Sequence, residues 1–295
     1  MSQDKLLLID GFNLLSRGYF ATAYNKTEDQ LPKNGKGLYI NGLRVFLQKI
    51  IHLIKEHSIS HVAVAWDVKR EETDRRIKYD FYKETRNELP SPLIEQYETL
   101  TKILDKIGVA QLAISPHEAD DVIGSLSDKW SREQASPCLI YSNDRDLLQL
   151  LNEHTSQIIA QKRQETIYTI EHFRAEYEIE SSQWIDVKAL LGDSSDNIPG
   201  CPGVGAKSAL PLIQQYKTVE QLLEQIDDLD PKFNRYKKKL HEGRESIFTS
   251  KELVTINCTI PSILAMKFED LAFRLDRNII LQAFNEFDIN IRVSI

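Results

Sequence analysis

A chain of 295 residues has room for one large domain or two smaller ones, and 41% hydrophobic with 27% charged residues is an ordinary globular balance. No stretch approaches the ~18 consecutive apolar residues of a membrane span, and the short apolar run before Asp10 is no signal-peptide core. Cys138, Cys201 and Cys258 are odd in number, far apart and outside any CxxC pair, which argues against a disulfide framework or a zinc site and for a reducing cytoplasm.

In chain order, LLLID (6–10) reads as a buried strand, and 42–57 as a helix with Leu43, Phe46, Leu47, Ile50, Ile51 and Ile54 at helical spacing. A strand follows over 61–67, a helix over 93–108 closed by Gly108, a helix over 119–130 and a strand over 138–146. Such alternation predicts an α/β fold with a mainly parallel central sheet flanked by helices. Asp10, Asp67 and Asp144 stand at the ends of three of these strands, the edge where open α/β sheets bind ligands. From Ser181 helical patterns dominate, beginning with a Ser-capped helix that Gly192 stops. A boundary near 170 separates an α/β core (1–169) from a helical lobe (170–295).

Carboxylates recur in three motifs. HEADD places Glu118, Asp120 and Asp121 at a helix start, where they equally suit helix capping. SNDRD supplies Asp144 and Asp146, and GDSSD supplies Asp193 and Asp196, any one of which alone reads as a turn residue. Two carboxylates ~5 Å apart repel by roughly 3 kcal/mol at an effective dielectric of ~20, so so many together call for a shared cation. With no His or Cys at ligand spacing, an all-oxygen site suits magnesium or manganese, and a cluster this large invites two ions able to hydrolyse a phosphodiester. The net charge of -7 is not opposed to a nucleic-acid substrate: without nine such acids, 35 remain against 37 basic residues.

After Asp196, the turn PGCPGVGAKSA carries Gly200, Gly203 and Gly205, with Lys207 opening a helix. It reads either as a tight interhelix loop or as a phosphate grip built from backbone amides, whose carbonyls suit a monovalent cation. Residues 69–86 hold seven basic side chains interleaved with Tyr79, Phe81 and Tyr82, which suit stacking on bases; residues 232–244 form a second basic stretch.

LIDG, the Arg17–Tyr19 segment, AWD, the Tyr82–Lys83–Arg86 triplet, EADDVIG, NDRDLLQLL and ALLGDSSDNIPGCPGVGAKSAL occur in the order of one family. The chain resembles the 5′-nuclease, or flap endonuclease, superfamily, most closely the 5′→3′ exonuclease domain of bacterial DNA polymerase I. With the last motif lying close to Ile295, the expectation is a stand-alone exonuclease.

The resemblance implies a helical arch over about 69–92 and a helix–hairpin–helix clamp in the C-terminal lobe. It implies a site of Asp10, Glu118, Asp120, Asp121, Asp144, Asp146, Asp193 and Asp196 for two Mg2+ ions, with Mn2+ as substitute and Asp67 beside them. Lys83 and Arg86 would reach the scissile phosphate. Arg17, Tyr19, Arg75, Tyr82 and the Gly200, Gly203, Gly205 and Lys207 turn would contact DNA, the turn also holding K+. The implied partner is DNA with a 5′ single strand on a duplex, met by a monomer with no membrane role. A binding-only paralogue and an RNA-directed nuclease are the alternatives. Three departures stand out: Asn143 where the family has Gly, Asp80 where it has Pro, and one extra residue between Asp67 and Arg75. Asn tolerates a left-handed backbone better than most residues, so the turn at Asn143 is expected to survive the change from Gly.

Overall fold

A computed structural model of the chain describes residues 3–161 and 164–291. The first strand, β1 (Leu6–Asp10), is buried at every position, as a strand covered on both faces must be. It runs straight into helix α1 (Gly11–Ala23), because the Asp10 carboxylate caps the amide of Asn13 at 3.1 Å. Then follow α2 (Asn41–Glu56), β2 (His61–Ala65), the short α3 (Asp74–Lys78), α4 (Ser91–Ile107) and β3 (Ala110–Leu112). Gly108 ends α4 in the left-handed conformation at φ 78°, the stop read from sequence. Next come α5 (Ala119–Gln134), β4 (Cys138–Tyr141), β5 (Thr155–Gln161) and β6 (Gln164–Tyr168).

The six strands are ordered β3-β2-β1-β4-β5-β6, parallel except for the antiparallel β6. The strand order reverses between β1 and β4, so the crevice beyond their carboxyl ends is a topological switch point. One apolar layer, including Leu43, Phe46, Leu47 and Trp66, covers one face of the sheet. A second layer, built on Val122, Leu126 and Trp130 of α5, covers the other.

A third core belongs to the helical lobe of α6 (Ile170–Tyr177), α7 (Trp184–Leu191), α8 (Ala206–Tyr216), α9 (Val219–Glu224), α10 (Lys237–Glu242) and α11 (Arg244–Val254). The chain then returns to the α/β part. Helix α12 (Pro261–Leu264) packs on α5, Phe273 donates its amide to the Ser60 carbonyl beside β2, and α13 (Arg277–Glu286) lies on α4.

Two expectations change. The strands expected to reach Asp67 and Asp146 stop at Ala65 and Tyr141, which leaves Asp67 and Asp144 in loops and Asp146 at the start of a 3-10 turn (Asp146–Leu150). The arch region is less helical than expected: α3 has five residues, and turns follow from Asp80 to Thr85.

Candidate active site

The sheet delivers carboxylates to the switch point from both sides. Asp10 ends β1, where its second oxygen accepts from the Ser142 hydroxyl at 2.9 Å. Asp67 follows β2 and takes the Ala119 amide at 2.9 Å, which ties it to the start of α5. Asp144 follows β4, held by the Ser142 hydroxyl on its amide and by the Asp146 amide on its Oδ1 at 2.8 Å. Six of the eight proposed metal carboxylates, Asp10, Glu118, Asp120, Asp144, Asp146 and Asp196, line one cavity of about 780 Å3 together with Asp67.

Concentrating these acids has an electrostatic cost. Burial, and then Asp67 and Asp144, push the Asp10 carboxyl up to about 7. Burial raises Asp67 despite the opposing Lys83, and burial followed by Asp144, Asp10 and Asp67 holds Asp120 well above the carboxylate range. Asp146 rises to about 6 through burial and Asp144, although Lys188 opposes.

Basic side chains answer part of this charge. Lys83 donates to Glu118 at 2.7 Å, and its backbone amide donates to the Asp196 carbonyl at 2.9 Å. Arg86 donates to Asp196 at 2.9 Å through Nε and lies 2.6 Å from it through Nη2. Lys188, which the sequence reading did not single out, lies 2.8 Å from Asp146 and 3.3 Å from Asp193. The segment carrying Lys83 is thus closed over the cavity. Its Tyr82 ring packs among Ile198, Leu253 and Val254, and Arg70 donates to the carbonyls of Lys83 and Arg86.

As the chain stands, no three His, Cys, Asp or Glu side chains among the described residues form a group that could hold an ion. Glu118, Asp196 and Asp146 are instead paired with Lys83, Arg86 and Lys188. The donor set nevertheless fits a hard divalent cation. The cavity contains carboxylate oxygens and no His or Cys, and one buried oxygen of Asp146 is paired by charge without forming a hydrogen bond.

Several expected site residues are placed elsewhere. Both Asp121 oxygens receive the Arg75 guanidinium at 2.7 Å, and they also take the amides of Glu118 and Asn257; Asp121 does not line the cavity. Arg75, expected on DNA, lines the cavity but is held as a half-buried tie that also donates to the carbonyls of Leu253 and Thr255. Asp193 lies outside the cavity lining and folds back onto the Ser195 amide and hydroxyl at 2.8 and 2.6 Å. These bonds, with Lys188, lower its pKa against the effect of burial.

Tyr82 cannot stack on a base here, being 3% exposed with its hydroxyl on Glu118. Tyr19 is buried at 5% exposure, where Gly42 of α2 comes close, and so offers no surface to a ligand. Arg17 lies outside the carboxylate cavity in a separate polar pocket with Lys49 and Glu165, and one of its buried nitrogens lacks a hydrogen-bond partner. Asn143 is not left-handed: its side chain pairs with both the amide and the carbonyl of Ala160, which clamps the β4 loop to β5.

The glycine turn lies between α7 and α8. Gly200 (φ 64°) and Gly192 (φ 68°) approach so closely that a Cβ on either would strike the other's backbone. Gly203 (φ 82°) carries the Lys239 ammonium on its carbonyl at 3.1 Å, which brings the basic 232–244 stretch to the turn. Gly205 caps α8, and Lys207 is exposed in its first turn. The carbonyls of Gly200, Cys201, Gly203 and Gly205 all accept hydrogen bonds already.

Comparison with known proteins agrees with this architecture. Residues 5–178 match the family model of the 5′-3′ exonuclease N-terminal resolvase-like domain, and 179–278 that of the 5′-3′ exonuclease C-terminal SAM fold. A 5′-3′ exonuclease of Halalkalibacterium halodurans is 58% identical over 294 residues, covering 100% of this chain and 97% of that protein. DNA polymerase I of Bacillus subtilis is 36% identical over 259 residues, 87% of this chain but 28% of the polymerase. Among solved structures, T5 5′-exonuclease with bound divalent metal ions (zinc) superposes with a TM-score of 0.68 at 22% identity, over 96% of this chain and 98% of that one. The chain belongs to the 5′-3′ exonuclease family.

Proposed function

We propose that the chain is a divalent-metal-dependent 5′→3′ exonuclease and 5′-flap endonuclease that cuts DNA where a 5′ single strand leaves a duplex. Primer or flap removal in replication and repair would use this activity. One observation carries the reading: six acidic side chains and Asp67 share a single cavity at the switch point of the sheet, with Lys83 and Arg86 reaching into it. Two magnesium ions, with manganese as substitute, are assigned to Asp10, Asp120, Asp144 and Asp146, joined by Glu118 and Asp196 once these leave their basic partners. When bound, such ions supply an activated water and charge at the leaving oxygen.

The chain's own residues do the rest. Lys83 and Arg86 exchange Glu118 and Asp196 for the scissile phosphate and offset the negative charge that develops there. Asp67 fixes the start of α5, which carries Glu118 and Asp120, through the Ala119 amide. The products are a 5′-phosphate and a 3′-hydroxyl. A potassium ion at the 200–205 turn belongs to the same proposal, sharing carbonyls that already accept hydrogen bonds. The proposal places a monomer in the cytoplasm, in keeping with three free cysteines.

Duplex binding is assigned to the glycine turn. Lys207→Ala weakens duplex affinity and reduces the slope of log affinity against log salt by about 1, the signature of one lost phosphate contact. Fluorescence anisotropy across a salt series measures this, and an unchanged slope would leave the turn as a loop only. Matched flaps test the substrate class: the DNA flap on a DNA duplex is cut, and cleavage confined to RNA strands would contradict the reading.

A further inference from the structure

The carboxylate cavity has a second wall made of aromatic rings rather than acids. Phe12 sits in the first turn of α1, two residues from Asp10, and Tyr97 projects from α4; both are half-buried and line the cavity. Their rings lie 5.0 Å apart at an interplanar angle of 28°. Trp66, 2% exposed, backs them edge-on, at 5.3 Å from Phe12 and 4.9 Å from Tyr97. The Trp66 indole is itself pinned by its hydrogen bond to Gln111 at 3.0 Å and by Phe46 behind it. No hydrogen bond to the Tyr97 hydroxyl occurs among the described residues.

Both rings pack against the core layer and also line the cavity. Here a pre-ordered pair keeps an open side within about one helical turn of Asp10, where a reacting phosphate would sit. The chemistry that fits is the flat face of a nucleobase. Stacking needs a rigid aromatic platform and is sequence-tolerant, because every base has a π-face.

We propose that Phe12 and Tyr97 form a base-stacking shelf for the nucleotide next to the scissile phosphate, positioning that phosphate over the carboxylates. This rests on the nuclease reading above. The shelf is independent of Tyr82, whose ring is buried under the closed segment, and of the basic residues that contact phosphate. It recognises a base without reading its identity, and so serves an enzyme that must cut at any sequence.

Abasic substrates provide the test. An abasic residue is placed on the 5′ or the 3′ side of the scissile phosphate, one at a time, in a 5′-flap duplex with magnesium present. The wild-type protein shows a loss of about 5- to 100-fold in kcat/KM at one of the two positions, the range expected for one lost base–aromatic stack. A Phe12→Leu, Tyr97→Leu double variant, which keeps the apolar bulk, cuts intact and abasic substrates at nearly the same reduced rate. Tyr97→Phe, which keeps the ring, retains the abasic penalty. With magnesium omitted and EDTA added, 2-aminopurine at the sensitive position is quenched by the wild type and much less by the double variant. A wild-type protein indifferent to both abasic positions, or a double variant with the full penalty, overturns the shelf while leaving the nuclease reading intact. Failure to cut even the intact substrate overturns both.

Discussion

Asp120→Ala and Asp144→Ala each lower cleavage of a 5′-flap duplex by at least about 10²- to 10³-fold, while duplex affinity stays within about threefold of wild type. Both side chains line the cavity, and neither is tied up by a basic partner as Glu118, Asp146 and Asp196 are. The loss cannot be charged to unfolding. Burial and three acidic neighbours already keep Asp120 unfavourably placed as an anion, so its removal relieves repulsion in the metal-free protein. The thermal midpoint of Asp120→Ala is therefore unchanged or raised. Single-turnover cleavage with saturating magnesium, beside anisotropy in EDTA, measures the two halves. Wild-type-like cleavage by either variant would remove the two-ion assignment.

Arg75→Ala behaves in the opposite way, costing the fold about 3–5 kcal/mol, because it strands the buried Asp121 without its cation and leaves Glu118 with Lys83 alone. Asp121 accepts the guanidinium through both oxygens, and Arg75 further ties α3 to the 253–255 segment at the end of α11. Arg75→Lys recovers only part of this, since an ammonium cannot span both oxygens and both carbonyls. Urea denaturation gives the stability change. If Arg75 were a DNA contact, Arg75→Ala would fold normally and lose affinity with a shallower salt slope; that result would reinstate the expectation drawn from family resemblance.

Much of the α/β half was legible because parallel central strands are continuous apolar runs. LLLID and HVAVA announce themselves, and the acids at or just beyond their ends followed from strand polarity. The strands β3, β5 and β6 were not legible. The first is three half-buried residues, and β5 buries Thr155 and Gln157, so no apolar pattern marks it. Helix α1 was hidden by its glycines. Gly18 lies so close to α2 that an added Cβ would be 2.9 Å from that of Val45, a packing demand that propensity cannot reveal.

In the site, motif order identified the acids but could not tell a cavity carboxylate from a structural one. Glu118 and Asp121 are three residues apart at one helix start; only the fold shows that Asp121 pairs with Arg75 away from the cavity. Lys188 carried no signal, because its role comes from α7 passing the β4 loop. The arch lysine and arginine were found by resemblance, whereas their pairing with Glu118 and Asp196 is visible only in three dimensions.

The central claim is that this carboxylate cavity cuts DNA with divalent ions. The most direct measurement incubates metal-stripped protein with a 5′-flap duplex labelled at the flap, in EDTA and then with magnesium added in excess. The account predicts no product in EDTA. On adding magnesium, it predicts cleavage near the junction that leaves a 5′-phosphate and a 3′-hydroxyl. Product in EDTA, or an intact flap with magnesium present, would contradict it.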